Sequence, residues 1–227
     1  MLPPDPGSPT WHTRYRPADH RLAVGGDWYD VVALPESRFG LVVGDCVGHG
    51  LEAAAVMGQQ RSAARTLLLQ NLGPAATLDG LDRFAKTLPG AECASVVCAI
   101  VDDASGQITY SVAGHPPPLI VSAGSQRWLD EGHGTLLGLD DGPRPEASAR
   151  FDVGETLVLY TDGLVERRDE SLSVGLARLA RAAREAARAA AKPDVGDDLI
   201  TTLLDEGARD DVALIVYRCI GVESVDV

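Results

Sequence analysis

Four aspartates stand where apolar runs begin or end: Asp27 in GGDWYDV, Asp45 in FGLVVGDCVGHG, Asp162 in LVLYTDGLVE and Asp210 in ARDDVALIV. Carboxylates are hard oxygen donors, and several gathered at one place raise one another's pKa unless cations join them. A shell of carboxylates and water, with no His or Cys partner, suits Mg²⁺ or Mn²⁺ rather than zinc. Two such ions about 3.5–4 Å apart can share a bridging water, lower its pKa and clamp a phosphoryl group for in-line attack. A lone Asp at a glycine turn is ordinarily a turn former that caps local backbone. Recurrence over nearly the whole chain is what suggests one site assembled by the fold.

The elements that must position these residues follow from the hydrophobic pattern. Residues 11–16 alternate as a strand, and 26–34 pairs with 38–45 across the turn PES. The Gly48-His49-Gly50 turn then opens a helix over 51–71 with Ala53, Val56, Met57, Ala64, Leu67 and Leu68 at helical spacing, stopped by Gly73-Pro74. A second amphipathic helix carries Leu78, Leu81, Phe84 and Leu88 and ends at Pro89-Gly90. Strands follow at 93–101, 107–114, 118–122 and 126–130, then an irregular Gly/Pro/Asp-rich loop over 131–148 and a buried strand at 156–160. Helices over 172–191 and 195–205 precede a last strand at 212–217. Many strands linked by hairpins, with two pairs of helices, predict an α+β fold. Two antiparallel sheets pack face to face and each outer face is covered by helices. Residues 1–10 read as a linker, 11–220 as the domain and 221–227 as a tail.

Composition narrows the function classes. The chain has 227 residues and a net charge of −13, which disfavours nucleic-acid phosphates and anionic membrane surfaces as partners. No apolar run approaches the roughly 20 residues that span a bilayer, and no signal-peptide core opens the chain. Cys46, Cys93, Cys98 and Cys219 lie in or beside strand-like runs without C-x-x-C spacing, and read as small core residues in a reducing cytoplasm.

Taken in order, GGDWYDV, GDCVGHG before a helix, AGHPPPL, LVLYTDGLVE and ARDDVALIV resemble the bacterial SpoIIE/RsbU-like branch of the metal-dependent protein phosphatase (PPM) family. The resemblance covers essentially everything after the linker. It implies the family's four-layer α/β/β/α sandwich and a two-ion centre. Asp45 would bridge the ions, with the Cys46 backbone carbonyl and Asp27 at one of them and Asp162 and Asp210 at the other. Asp211 would orient its neighbour. The implied reaction is attack of metal-bound hydroxide on phosphoserine or phosphothreonine without a phosphoenzyme. By family analogy the substrate is a phosphorylated STAS-type anti-anti-sigma factor in a partner-switching pathway that controls a sigma factor. A sensor domain N-terminal to this segment is expected, with regulation entering through the helices at 51–88. AGHPPPL stands where eukaryotic members carry an extra metal-binding Gly-Asp, which puts a third ion in doubt. Arg14, Arg16 and Arg21 are the nearby cations for phosphate.

Other residues carry two readings each. His115 can shuttle a proton to the leaving oxygen or cap the turn before three prolines. His49 can approach a ligand or face solvent. Glu166 can support Asp162 from outside the ligand set or be a surface acid. Arg178, Arg181, Arg184 and Arg188 can meet an acidic partner or form a solvated helix face. Trp28 and Tyr29 read as core. Two rival functions remain open: a catalytically silent interaction module of the same fold, and a small-molecule phosphoesterase. A nucleotide-binding phosphate loop is absent.

Overall fold

The structure is a computed structural model that describes residues 11–17, 25–48, 50–139, 142–188, 195–204 and 210–219. The expected linker and tail, Arg21, His49 and the ends of the two C-terminal helices lie outside the described residues.

One sheet contains β1 (Trp11–Arg16), β6 (Leu119–Val121), β7 (Gln126–Trp128), β10 (Thr156–Tyr160) and β11 (Val212–Arg218), in the order β1-β11-β10-β6-β7. The other contains β2 (Asp27–Leu34), β3 (Arg38–Asp45), β4 (Ser95–Asp102), β5 (Gln107–Ala113) and β8 (His133–Gly134) in that order. Its β9 (Ala147–Arg150) also pairs with β5. The helices are α1 (Gly50–Leu69), α2 (Pro74–Ala85), α3 (Leu172–Arg188) and α4 (Val195–Leu203).

Side chains alternate across each strand, so both faces of both sheets can be apolar when both are covered. Leu41, Val43, Val97 and Ile108 meet Leu157, Leu159 and Ile215 between the sheets. The opposite parity, including Trp28, Val42, Val96 and Cys98, packs under α1 and α2. Val158, Tyr160, Leu214 and Val216 pack under α3 and α4. The buried stripe of α1 runs Ala53, Met57, Gln60, Ala64, Leu68, one residue per turn. Gly175 of α3 lies so close to β10's exit that a Cβ there would stand 2.1 Å from the Val165 carbonyl. The four-layer α+β reading holds.

Three local expectations are corrected. The loop over 131–148 is not wholly irregular: β8 runs parallel to β5, the one parallel pairing among the described residues, and Ala147 begins β9. An Ala-Ser-Ala-Arg run has too little β-branched character to declare itself a strand. Cys93 is not a core residue but exposed, in the left-handed region at φ 64°, just before β4.

That loop is also strapped to α2. The Arg144 guanidinium donates to both Asp82 carboxylate oxygens at 2.5 and 2.6 Å, and also to the Thr135 and Leu136 carbonyls. Asp82 accepts the Gly138 amide at 2.8 Å as well, and Glu146 accepts the Ala75 amide at 3.0 Å in the first turn of α2. The paired side chains are 3% and 9% exposed. Removing one partner of such a buried pair strands the other charge, at a cost of about 3–5 kcal/mol. Asp82→Ala is therefore expected to lower the unfolding free energy by about that amount, read as a shift in the urea midpoint. A loss under about 1 kcal/mol, the level of an exposed pair, would show that the strap does not hold the loop.

Candidate functional site

The alternation that builds the core also aims the aspartates. Asp27 shares its strand parity with Tyr29, and Asp45 shares its parity with Leu41 and Val43, so both carboxylates face the gap between the sheets at its end. The register sets Asp27 directly opposite Asp45, and Asp45 opposite Ser95. On the other sheet the chain leaves β10 through Thr161 into a single 3₁₀ turn, Asp162–Leu164, and enters β11 through Asp210 and Asp211. All four strand ends lie at the same edge of the sandwich.

Side chains of one sheet bond backbone amides of the other there, and close backbone approaches tighten each sheet's own edge. The Asp211 carboxylate accepts the Gly26 amide at 3.2 Å, and the Cys46 amide donates to the Gly26 carbonyl at 3.2 Å. A Cβ on Gly26 would stand 2.4 Å from the Cys46 carbonyl oxygen, and one on Gly163 would stand 2.2 Å from the Asp211 carbonyl oxygen. The Thr161 hydroxyl accepts the Ala213 amide at 2.8 Å, extending the β10–β11 ladder by one residue toward Asp162. The Tyr15 hydroxyl accepts the Gly25 amide at 2.8 Å.

The electrostatics are those of crowded acids. Burial, then the Asp45 charge, raises Asp27 well above the usual carboxylate range, and Asp162 adds to the shift. Burial and the charge of Asp162, with Asp210 and Asp211, raise Asp45 to about 7. Burial, Glu166 and Asp210 raise Asp162 to about 6. Oδ2 of Asp27 is buried without a hydrogen-bond partner among the described residues. A buried carboxylate oxygen with no donor, ringed by other carboxylates and a backbone carbonyl, fits a hard divalent cation. Among the described residues no three His, Cys, Asp or Glu side chains close on one point tightly enough to hold an ion by themselves. The protein's share of each shell would therefore be small, with water supplying the remainder.

The supporting residues divide. Asp211 is buried and ties β2 to β11, while Asp210 is exposed and its carboxylate accepts the Asp211 amide at 2.9 Å. Glu166 is exposed beside Asp162, its amide donating to the Asp162 carbonyl at 2.8 Å. His115 is 3% exposed, with Nε2 2.9 Å from the Tyr160 carbonyl and Nδ1 2.7 Å from the Ser95 hydroxyl. A carbonyl can only accept, so Nε2 carries the proton and Nδ1 accepts from Ser95. Burial pushes its pKa down to about 4. Both ring nitrogens are engaged with protein groups, so the ring as placed has no nitrogen free for a leaving oxygen. Arg14 is turned toward α4, donating to Asp197 at 2.5 Å, away from the carboxylates. On α3, Arg178 pairs with Glu170 and Arg188 donates to the Ala123 carbonyl. Trp28 and Tyr29 are buried. Thr161, Tyr15 and Ser95 were not singled out from sequence; only the position of Thr161 next to Asp162 offered a signal.

Comparison with known proteins agrees with this architecture. Residues 35–220 match the family model described as Stage II sporulation protein E (SpoIIE). Phosphoserine phosphatase RsbU of Bacillus subtilis (strain 168) is 27% identical over 200 residues, 86% of this chain and 59% of that protein. The crystal structure of the RsbU and RsbW domains of Rv1364c from Mycobacterium tuberculosis superposes with a TM-score of 0.83 at 37% identity, over 92% of this chain and 60% of that one. The PP2C phosphatase domain and regulatory-domain fragment of SpoIIE from Bacillus subtilis shares the fold, with a TM-score of 0.77 at 16% identity, over 92% of this chain and 63% of that one. The chain thus spans about three fifths of the length of each of these relatives. With two helix-covered sheets, the ordered motifs and a family match over most of its length, the chain belongs to the SpoIIE family, within the RsbU-like branch of the metal-dependent protein phosphatases.

Proposed function

We propose that this chain is a metal-dependent protein serine/threonine phosphatase. The observation that carries the reading is the Asp27–Asp45 cross-strand pair, with one buried carboxylate oxygen unpartnered, facing the turns that bear Asp162 and Asp210. The similarity to RsbU, a phosphoserine phosphatase, supports it. Asp45, the Cys46 carbonyl and Asp27 would hold one ion, and Asp45, Asp162 and Asp210 the other. Two Mg²⁺ or Mn²⁺ ions bound there supply the charge that acidifies a water and draws in phosphoryl oxygens.

The chain's own residues prepare that centre. The β2–β3 register fixes the separation of Asp27 and Asp45, and Asp211 holds the β2 end against β11. His115, with both nitrogens engaged, offers none to the leaving serine oxygen, whose proton would come from solvent. The substrate is a phosphorylated STAS-type anti-anti-sigma factor in a partner-switching pathway, and the setting is cytoplasmic. Among the described residues no helix is long and apolar enough to cross a membrane.

Purified protein with Mn²⁺ is expected to release phosphate from such a phosphoprotein and from an aryl phosphate. Asp45→Asn or Asp162→Asn should lower turnover by more than the roughly 100-fold that loss of a supporting residue brings. Turnover that survives either change would overturn the mechanism. Phosphoprotein binding without phosphate release would identify a silent interaction module instead.

A pH signature follows from the raised carboxylates. A folded-state pKa above the unfolded one means the protonated form is favoured by folding. The metal-free protein therefore has this contribution in full below the unfolded value of about 3.9. It loses the contribution as pH climbs through about 6 for Asp162 and about 7 for Asp45. The chelator-treated protein is expected to melt higher near pH 5 than near pH 7.5, and Mn²⁺ at 100 times its Kd should add about 2.7 kcal/mol. An Mn²⁺-induced thermal shift no larger at the higher pH than at the lower would contradict the crowded-acid description.

A further inference from the structure

The connection that changes sheets, residues 114–118 between β5 and β6, is pinned at both ends of one residue. His115 Nε2–H donates to the Tyr160 carbonyl at 2.9 Å, and the Tyr160 hydroxyl donates to the Pro117 carbonyl at 3.1 Å. Tyr160 is the last residue of β10, two positions before Asp162. From the other side of the ring, Nδ1 accepts from the hydroxyl of Ser95, which is the register partner of Asp45 on β4. One imidazole thus touches the register partner of Asp45 on one sheet and the residue two before Asp162 on the other. Gly114 makes the turn feasible: its φ is +60°, and a Cβ there would meet Leu136 at 2.4 Å. The following prolines hold extended backbone and have no amide to donate.

We propose that His115 is the positioning residue that sets the spacing between Asp45 and Asp162 across the two sheets, and so the affinity of the site for its ions. The inference rests on the metal-dependent reading above. It gives the GHPPP segment a role that neither a proton shuttle nor a turn cap describes. The bridge is polar, buried and short, so it cannot lengthen without leaving a carbonyl or a hydroxyl unpaired. A ring removed at this point would let the β10 exit relax away from β3, while Asp27 and Asp45, held together by eight register pairs, would stay in place. The ion shared between the sheets should suffer more than the ion held on one sheet.

The test is Mn²⁺ binding by calorimetry on the whole chain, with melting followed in parallel. His115→Ala is expected to weaken Mn²⁺ binding about 10- to 100-fold, the range for residues that orient ligands. Ser95→Ala, a milder change that removes only the Nδ1 partner, should weaken it in the same direction, and His115→Gln, which keeps a donor for the Tyr160 carbonyl, should recover much of the loss. Leu203→Ala, in the α4 core away from the carboxylates, should lower the melting temperature without changing Mn²⁺ affinity. Folded His115→Ala and Ser95→Ala proteins that bind Mn²⁺ like the wild type would overturn the inference and leave the phosphatase reading standing. Leu203→Ala weakening binding as much as His115→Ala would overturn it too, by showing that general destabilisation suffices. A wild-type chain that binds no Mn²⁺ at all would overturn the metal reading and this inference with it.

Discussion

The governing constraint is the placement of like charges face to face at one edge of the sandwich. Asp27 and Asp45 are direct cross-strand partners, an arrangement that is unfavourable between ionised groups. Their burial compounds the repulsion, because it disfavours the charged form of each. The deficit is borne by the pairing behind it: β3 is hydrogen-bonded over its whole length to β2 on one side and β4 on the other. The inner faces of those strands lie in the inter-sheet core. A centre that is strained without its counter-ions can persist only on a scaffold that over-determines it.

Closing the two sheets to that edge requires removing side chains rather than adding them. Gly25 packs against the Asp211 carboxylate, Gly26 against the Cys46 carbonyl and Gly163 against the Asp211 backbone, each nearer than any Cβ tolerates. The backbone itself therefore forms part of the wall, and Cys46 presents a carbonyl where a side chain would have blocked the approach. Asp211 is the mortar in this wall. Its carboxylate accepts the Gly26 amide, while its neighbour Asp210 stays exposed and accepts the Asp211 amide. Two adjacent aspartates thus differ in burial by which face of the strand entry each occupies.

That difference explains what the sequence could and could not reveal. The aspartates were legible because each ends or begins an apolar run, and hairpins make the register of Asp27 and Asp45 nearly a matter of counting across one turn. The layer architecture was legible because the helices interrupt the strand series in pairs. The role of His115 was not, since it depends on β5 and β6 lying in different sheets, which no local pattern states. Nor was the Arg144–Asp82 strap, whose partners are 62 residues apart and whose loop composition suggests disorder rather than burial. Cys93 misled because the strand-like run starts two residues before β4 does: its positive φ marks a kink that spacing alone does not encode.

The two sides of the site are held by different devices. On the β3 side, the chain runs from Asp45 through Cys46 directly into α1, turning at Gly48 and Gly50 with φ of +99° and +83°. The Cys46 thiol donates to Gln60 Oε1 at 3.5 Å, and the Gln60 amide donates to the Ala91 carbonyl at 2.9 Å. A buried glutamine is costly unless its groups are satisfied, so this chain of contacts fixes the rotation of α1 about its axis relative to the loop that leaves Asp45. On the β10 side, α3 packs against the Val165 carbonyl just beyond the turn, while the His115 bridge and the Thr161–Ala213 pairing hold the Asp162 turn to the sheet ends. The loop that leaves Asp45 is therefore tied to α1, whereas the Asp162 turn is tied to β11, to the β5–β6 connection and to α3.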